Sequence, residues 1–123
     1  MRPKLRVWLV FDENTKLGRG RAELLRLVDE TGSLQQAVAR LGMSYRAAWG
    51  YVRELEGAFG AALLEPAGPG RSGGTRLTRQ GRALLRRYQS FQTQVEKLAE
   101  TRFRRVFGAS ARAARSRRRP PSR

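Results

Sequence analysis

Tyr45, Arg46, Trp49, Gly50 and Arg53 fall on one side of a helix-forming run, near its N-terminal end. Residue types and spacing of this kind suit a polyanion. Arginines can fork onto guanine edges or phosphate oxygens, and aromatic rings can lie against bases or sugars. The unpaired N–H groups of a helix's first turn add attraction for phosphate. The same pattern also fits a helical hairpin with a solvated basic face.

These residues need a platform, and the run from Gly32 to Phe59 (GSLQQAVARLGMSYRAAWGYVRELEGAF) supplies one. Leu34, Ala37, Val38 and Leu41 recur at i, i+3, i+4 and i+7, the stripe of a short amphipathic helix. Ser33 caps it, with Gln36 completing an S-x-x-Q capping box. Gly42 supplies the turn and Ser44 the next cap, while Ala48, Val52, Leu55 and Phe59 form the buried line of the second helix. Two helices joined by a short Gly-containing turn predict a helix-turn-helix, whose second helix enters the major groove of DNA. On that reading Ser33, Gln35, Ser44, Tyr45, Arg46, Trp49 and Arg53 are candidate DNA contacts. Trp49 is equally suited to leaning on its own fold.

Flanking segments extend the unit. Leu5 to Phe11 (LRVWLVF) reads as a strand, turned at Asp12-Glu-Asn14, with Thr15 to Leu17 returning as a second. Arg21 to Thr31 reads as a helix ended by Gly32, completing a three-helix core. Beyond Phe59, the apolar Ala61–Glu65 and the short Thr75-Arg76-Leu77 bracket the loop PAGPGRSGG, a β-hairpin wing. Arg71 and Ser72 at its tip, Arg76 at its base and Arg79 beyond it are placed to meet phosphates or the minor groove. The loop lacks the G-x-x-x-x-G-K-[ST] pattern of a nucleotide cradle.

Thr78 caps a helix expected to run to about Phe107. Its apolar residues Leu84, Tyr88, Phe91, Val95 and Leu98 step by four and three, the spacing of a coiled-coil seam. Such a helix would be about 45 Å long, more than a small core can cover. A second copy of the chain is the simplest cover, so these five residues are candidate dimer contacts. Packing back on the chain's own core is the alternative.

Charge supports the same direction. The 123 residues carry a net charge of +16, with nine Arg and no acid from Arg102 onward. Residues 1–101 still hold 17 Lys and Arg against 10 Asp and Glu. A field of one sign favours nucleic acid, although an anionic membrane or RNA fits the charge alone. Residues 108–123 lack apolar periodicity and are expected to form a disordered Arg-rich tail, following a folded domain over 4–101. Neither Cys nor His occurs, which removes disulfides, thiolate metal sites and the commonest general base. Ser33 and Ser44 therefore have no imidazole to activate them and serve better as caps, so no enzyme and no cofactor are expected. No apolar run approaches the length of a membrane span, and a cytoplasmic, nucleoid-associated protein with no membrane partner is expected.

Four motifs in order resemble a known family: the opening GSLQQA, the helix start MSYRAAW, the wing GPGRSGGTRLT and the LTRQG that begins the last helix. Together they look like the winged helix-turn-helix of LysR-type regulators, and more closely the N-terminal DNA-binding domain of the molybdate-responsive ModE regulators. The resemblance covers roughly residues 4 to 100. It implies a mainly helical fold with small β-hairpins: a three-helix core, an N-terminal hairpin, a wing and a long dimerisation helix. It also implies a transcriptional regulator that binds double-stranded DNA as a homodimer on an inverted repeat. Ser44, Tyr45, Arg46 and Trp49 would open the recognition helix, and Arg71 to Thr75 would form the wing. Longer ModE regulators carry molybdate-binding domains beyond this stretch, so no molybdate binding is expected of this chain. The alternative function is an architectural protein that coats DNA without reading it.

Overall fold

The computed structural model describes residues 1–69 and 74–118, with residues 109–118 as backbone alone. Eight elements follow in order: β1 (Leu9–Val10), β2 (Lys16–Leu17), α1 (Arg19–Thr31), α2 (Leu34–Leu41), α3 (Tyr45–Phe59), β3 (Leu64–Pro66), β4 (Thr75–Leu77) and α4 (Arg79–Arg118). The chain divides into two units, one of Arg6–Gln89 and one of Met1–Leu5 with the chain from Ser90 onward.

In the Arg6–Gln89 unit the core forms where the apolar stripes of the first three helices meet. Leu24, Leu25, Leu27 and Val28 from α1, Leu34, Ala37 and Val38 from α2, and Ala48, Val52 and Leu55 from α3 are all buried. Leu17, Leu63, Leu64 and Leu77 from the strands and their approaches close it. Truncating one such leucine to alanine costs about 2–5 kcal/mol, a large share of the stability of any small domain. Leu41, expected on the α2 stripe, is instead 36% exposed. It is the last residue of α2, where Gly42 turns the chain away at φ +65°. That left-handed backbone lets the Gly42 and Met43 N–H groups bond back to Ala39 and Val38, which ends α2 and starts the turn into α3.

The N-terminal hairpin is shorter than LRVWLVF suggested. Only Leu9↔Leu17 and Val10↔Lys16 pair, because helix α1 begins two residues after β2. Asp12 Oδ1 accepts from the Asn14 and Thr15 N–H groups and fixes the turn. Val7 uses its carbonyl differently, accepting the Tyr88 hydroxyl at 2.8 Å. Phe11 meets Phe59 edge to face at 6.0 Å, tying the hairpin to the end of α3.

The wing strands pair antiparallel as Leu64↔Leu77, Glu65↔Arg76 and Pro66↔Thr75. The first of them starts three residues later than the AALLE reading placed it, and the Glu56 carboxylate anchors the approach to it. That carboxylate accepts from the Leu63 and Leu64 N–H groups at 2.7 and 3.3 Å. On the other strand, the Thr75 N–H donates to the Gly32 carbonyl at 3.0 Å. Gly74 makes that approach possible: its φ is +74°, and a Cβ built there would collide with the same carbonyl oxygen.

Thr78 caps α4 as expected, accepting from the Gly81 N–H at 3.0 Å while its hydroxyl donates to the Ala62 carbonyl at 2.6 Å. Two corrections concern this helix. Leu84 and Tyr88, expected on a dimer seam, lie in the core of their own chain at 7% and 1% exposure. Both belong to the buried core cluster, and the Tyr88 hydroxyl is bonded to the Val7 carbonyl, so no second chain is needed there. The helix also continues through Arg118 rather than ending near Phe107, taking in residues 108–118 of the segment expected to be disordered. Ala and Arg dominate that stretch and are strong helix formers without any apolar face. Residues 119–123 lie outside the described residues. In the unit from Ser90 onward, Phe91 and Leu98 are 49% and 57% exposed, Val95 is half-buried, and Phe103 stacks on Phe107 at 5.0 Å.

Candidate nucleic-acid interface

Helix α3 carries the site. Its N-terminus is set by Ser44, whose Oγ accepts from the Ala47 N–H at 3.0 Å. Ala48, Val52 and Leu55 fasten it to the core, which forces Arg46, Gly50, Arg53 and Gly57 onto the opposite side as an exposed spine at i, i+4, i+7 and i+11. Tyr45 is exposed beside this spine. Trp49 is half-buried and packs against the core, so it is a brace on one edge of the face rather than its centre. Its ring meets Tyr45 edge to face at 6.3 Å and lies 5.6 Å beneath the Arg53 guanidinium. The three side chains thus steady one another without being buried.

Charge pairing separates the arginines into two groups. Arg21 reaches Glu54 at 3.2 Å and lies over the Tyr51 ring. Arg26 bridges Glu23 and Glu30, and Arg40 also reaches Glu30. Arg82 lies 3.7 Å from Asp29. Arg46 and Arg53, by contrast, meet no carboxylate among the described residues. The free guanidiniums of α3 are therefore those on its outward spine.

The remaining expected contacts sort themselves by position. Gln35 is exposed in the first turn of α2. Ser33 is committed to its helix, its Oγ accepting from the Gln36 N–H at 3.1 Å. The reciprocal half of the capping box does not form, because Thr31 Oγ1 accepts the Ser33 N–H instead. Arg79 is exposed at the start of α4 and meets no carboxylate among the described residues. Arg76 is exposed but engaged, its Nε 3.0 Å from Glu65 across the wing. Sequence reading missed Glu65 as a partner. Only the strand register, which sets Glu65 opposite Arg76, gives it away. Arg71 and Ser72 lie outside the described residues.

A capped helix holding two unpaired guanidiniums outward, with a short turn before it and a hairpin wing after it, defines a winged helix-turn-helix module. Residues 21–82, half of the chain, match the family described as bacterial regulatory helix-turn-helix protein, lysR family, and the chain belongs to that family. It is 33% identical over 84 residues to the molybdenum-pterin-binding protein MopB of Rhodobacter capsulatus, which is 68% of this chain and 31% of that protein. It is 33% identical over 82 residues to the transcriptional regulator ModE of Yersinia pestis, 66% of this chain and 31% of that protein. To the molybdenum transport protein ModE of Azotobacter vinelandii it is 30% identical over 113 residues, 88% of this chain and 42% of that protein. The chain thus spans about a third of the length of the first two relatives and somewhat more of the third. No helix among the described residues is long and apolar enough to cross a membrane.

Proposed function

We propose that this chain is a DNA-binding transcriptional regulator that reads an inverted repeat as a homodimer, with α3 in the major groove and the wing on the backbone or minor groove. The observation that carries the proposal is the pair Arg46 and Arg53, held outward on a capped helix with no carboxylate partner among the described residues. A guanidinium left unpaired by its own protein is available to a base edge or phosphate. Family membership and a relative named as a transcriptional regulator support the same role. The molybdenum in the relatives' names belongs to those proteins, and no molybdate site is proposed for the residues described.

Dimerisation draws on Phe91, Val95 and Leu98: the first and last are exposed on the helix from Ser90 onward and Val95 between them is half-buried, which leaves an apolar line only partly covered in a single chain. Leu84 and Tyr88 drop out of that seam.

A competition assay tests both parts. Genomic fragments selected by the purified chain should outcompete random duplex and contain two similar half-sites in opposite orientation. Leu98→Glu should give a monomer that binds one half-site weakly. Equal affinity for selected and random duplex would favour the architectural reading, in which the protein coats DNA without sequence preference.

A further inference from the structure

Gly50 lies on the outward spine of α3, between Arg46 four residues before it and Arg53 three after. Glycine in a helix interior is less stable than alanine, so its presence there calls for a reason. Other glycines of this fold show theirs. A Cβ on Gly74 would strike the Gly32 carbonyl, one on Gly81 the Leu63 carbonyl, and one on Gly18 the Trp8 ring. Gly32, Gly42 and Gly60 adopt positive φ.

Gly50 has neither reason. Its backbone is helical, it is exposed, and beyond the helix's own adjoining backbone no described atom lies within 4 Å of a Cβ built on it. Gly20, Gly57 and Gly108 share that open space, but their settings differ. Gly20 sits in the first turn of α1, and Gly108 is in the distal part of α4. Gly57 continues the α3 spine, seven residues beyond Gly50, with Arg53 one turn before it, no arginine one turn after it, and Glu54 and Glu56 close by in the chain. Of the four, Gly50 alone stands between two guanidiniums that have no carboxylate partner among the described residues.

We infer that Gly50 is the point of closest approach between this protein and a DNA duplex. The missing side chain lets the α3 backbone settle against a base edge or sugar, and that depth brings Arg46 and Arg53 within reach of the groove floor together. A methyl group would hold the helix outward, and a larger side chain would hold it further. This inference rests on the DNA-reading proposal above and assigns the contact at its centre.

The test compares the full chain with Gly50→Ala, Gly50→Leu and the control Gly57→Ala. Two quantities are measured: the thermal unfolding midpoint, and the Kd for a duplex that the wild-type chain has enriched from a random pool. Both alanine variants should unfold at a higher temperature than wild type, since each replaces a helical glycine with no steric obstacle. Gly57→Ala should bind as wild type does. Gly50→Ala should lose about tenfold in affinity, the scale of one good base contact, and Gly50→Leu should lose more. Wild-type affinity in both Gly50 variants would overturn the inference. So would a lowered midpoint in Gly50→Ala, which would place the reason for the glycine inside the fold. If the wild-type chain enriches no sequence, it is the DNA-reading proposal that fails, and the two failures are told apart by that first step.

Discussion

Two charged faces of the Arg6–Gln89 unit use arginine in opposite ways. On the α1–α2 face, Arg26 and Arg40 share the carboxylates of Glu23 and Glu30 in one chain of contacts 2.6 to 3.4 Å long. On the outward spine of α3, Arg46 and Arg53 have no carboxylate among the described residues, and Arg53 rests on the Trp49 ring. Net charge counts these four side chains alike. Availability to a polyanion does not, because a paired guanidinium must first give up its partner. On the DNA-reading proposal, the face this strongly basic protein turns to a duplex is therefore set by where its few acids are, as much as by where its bases are.

Arg46→Ala should lose about 1–3 kcal/mol of binding to a selected duplex if Arg46 makes a bidentate base contact, with a much smaller loss on random duplex. Arg40→Ala removes the same charge from the other face and should leave both affinities nearly unchanged at moderate salt. Titrations of the two variants against both duplexes decide it. Equal losses on selected and random DNA for Arg46→Ala would remove base reading from that residue.

The contrast between the faces was only partly legible in the sequence. The outward spine followed from the 3.6-residue period, because Ala48, Val52 and Leu55 fix the opposite side. The caps at Ser33, Ser44 and Thr78 were legible too, being local. What escaped was everything set by partners far along the chain. Glu65 is eleven residues from Arg76, and Arg40 is ten from Glu30. The heptad-like steps of α4 failed for the same reason. Periodicity showed that Leu84, Tyr88, Phe91, Val95 and Leu98 share a stripe, yet the first two are buried in the core of their own chain. A stripe says that something covers it and leaves open what does. Trp49 looked like a reader as readily as a brace until its packing was seen.

A second prediction moves one arginine from the paired class to the free class. Glu65→Gln keeps the wing strand but removes the carboxylate that holds Arg76. Binding to random duplex should tighten a few-fold, and the slope of log K against log salt should steepen by about 0.9 if one more phosphate is then neutralised. An unchanged slope would mean that Arg76 stays off the backbone even when released. Going the other way, Arg26→Ala removes the contacts to Glu23 and Glu30 and leaves the paired face only Arg40 on Glu30. It should cost under about 1 kcal/mol of stability, as exposed ion pairs do, with no change in DNA affinity.

The smallest effect tests the paired face by pH. The hydrogen bonds from the Arg26 guanidinium hold the Glu23 carboxyl below its ordinary value of 4.5. A carboxylate depressed in the folded state stabilises the fold above its unfolded value, and that contribution disappears as pH falls through the folded one. Wild type should therefore exceed Glu23→Gln in unfolding midpoint near neutrality, and the two should converge once the solution is well below pH 4.5. Added salt should shrink the difference at neutral pH, since both partners are substantially solvent-exposed. Neutral-pH binding to a selected duplex should be the same for the two proteins, because the charge altered lies on the face that the acids have already occupied. A difference in stability that persisted in acid would assign Glu23 a packing role instead of an ionic one.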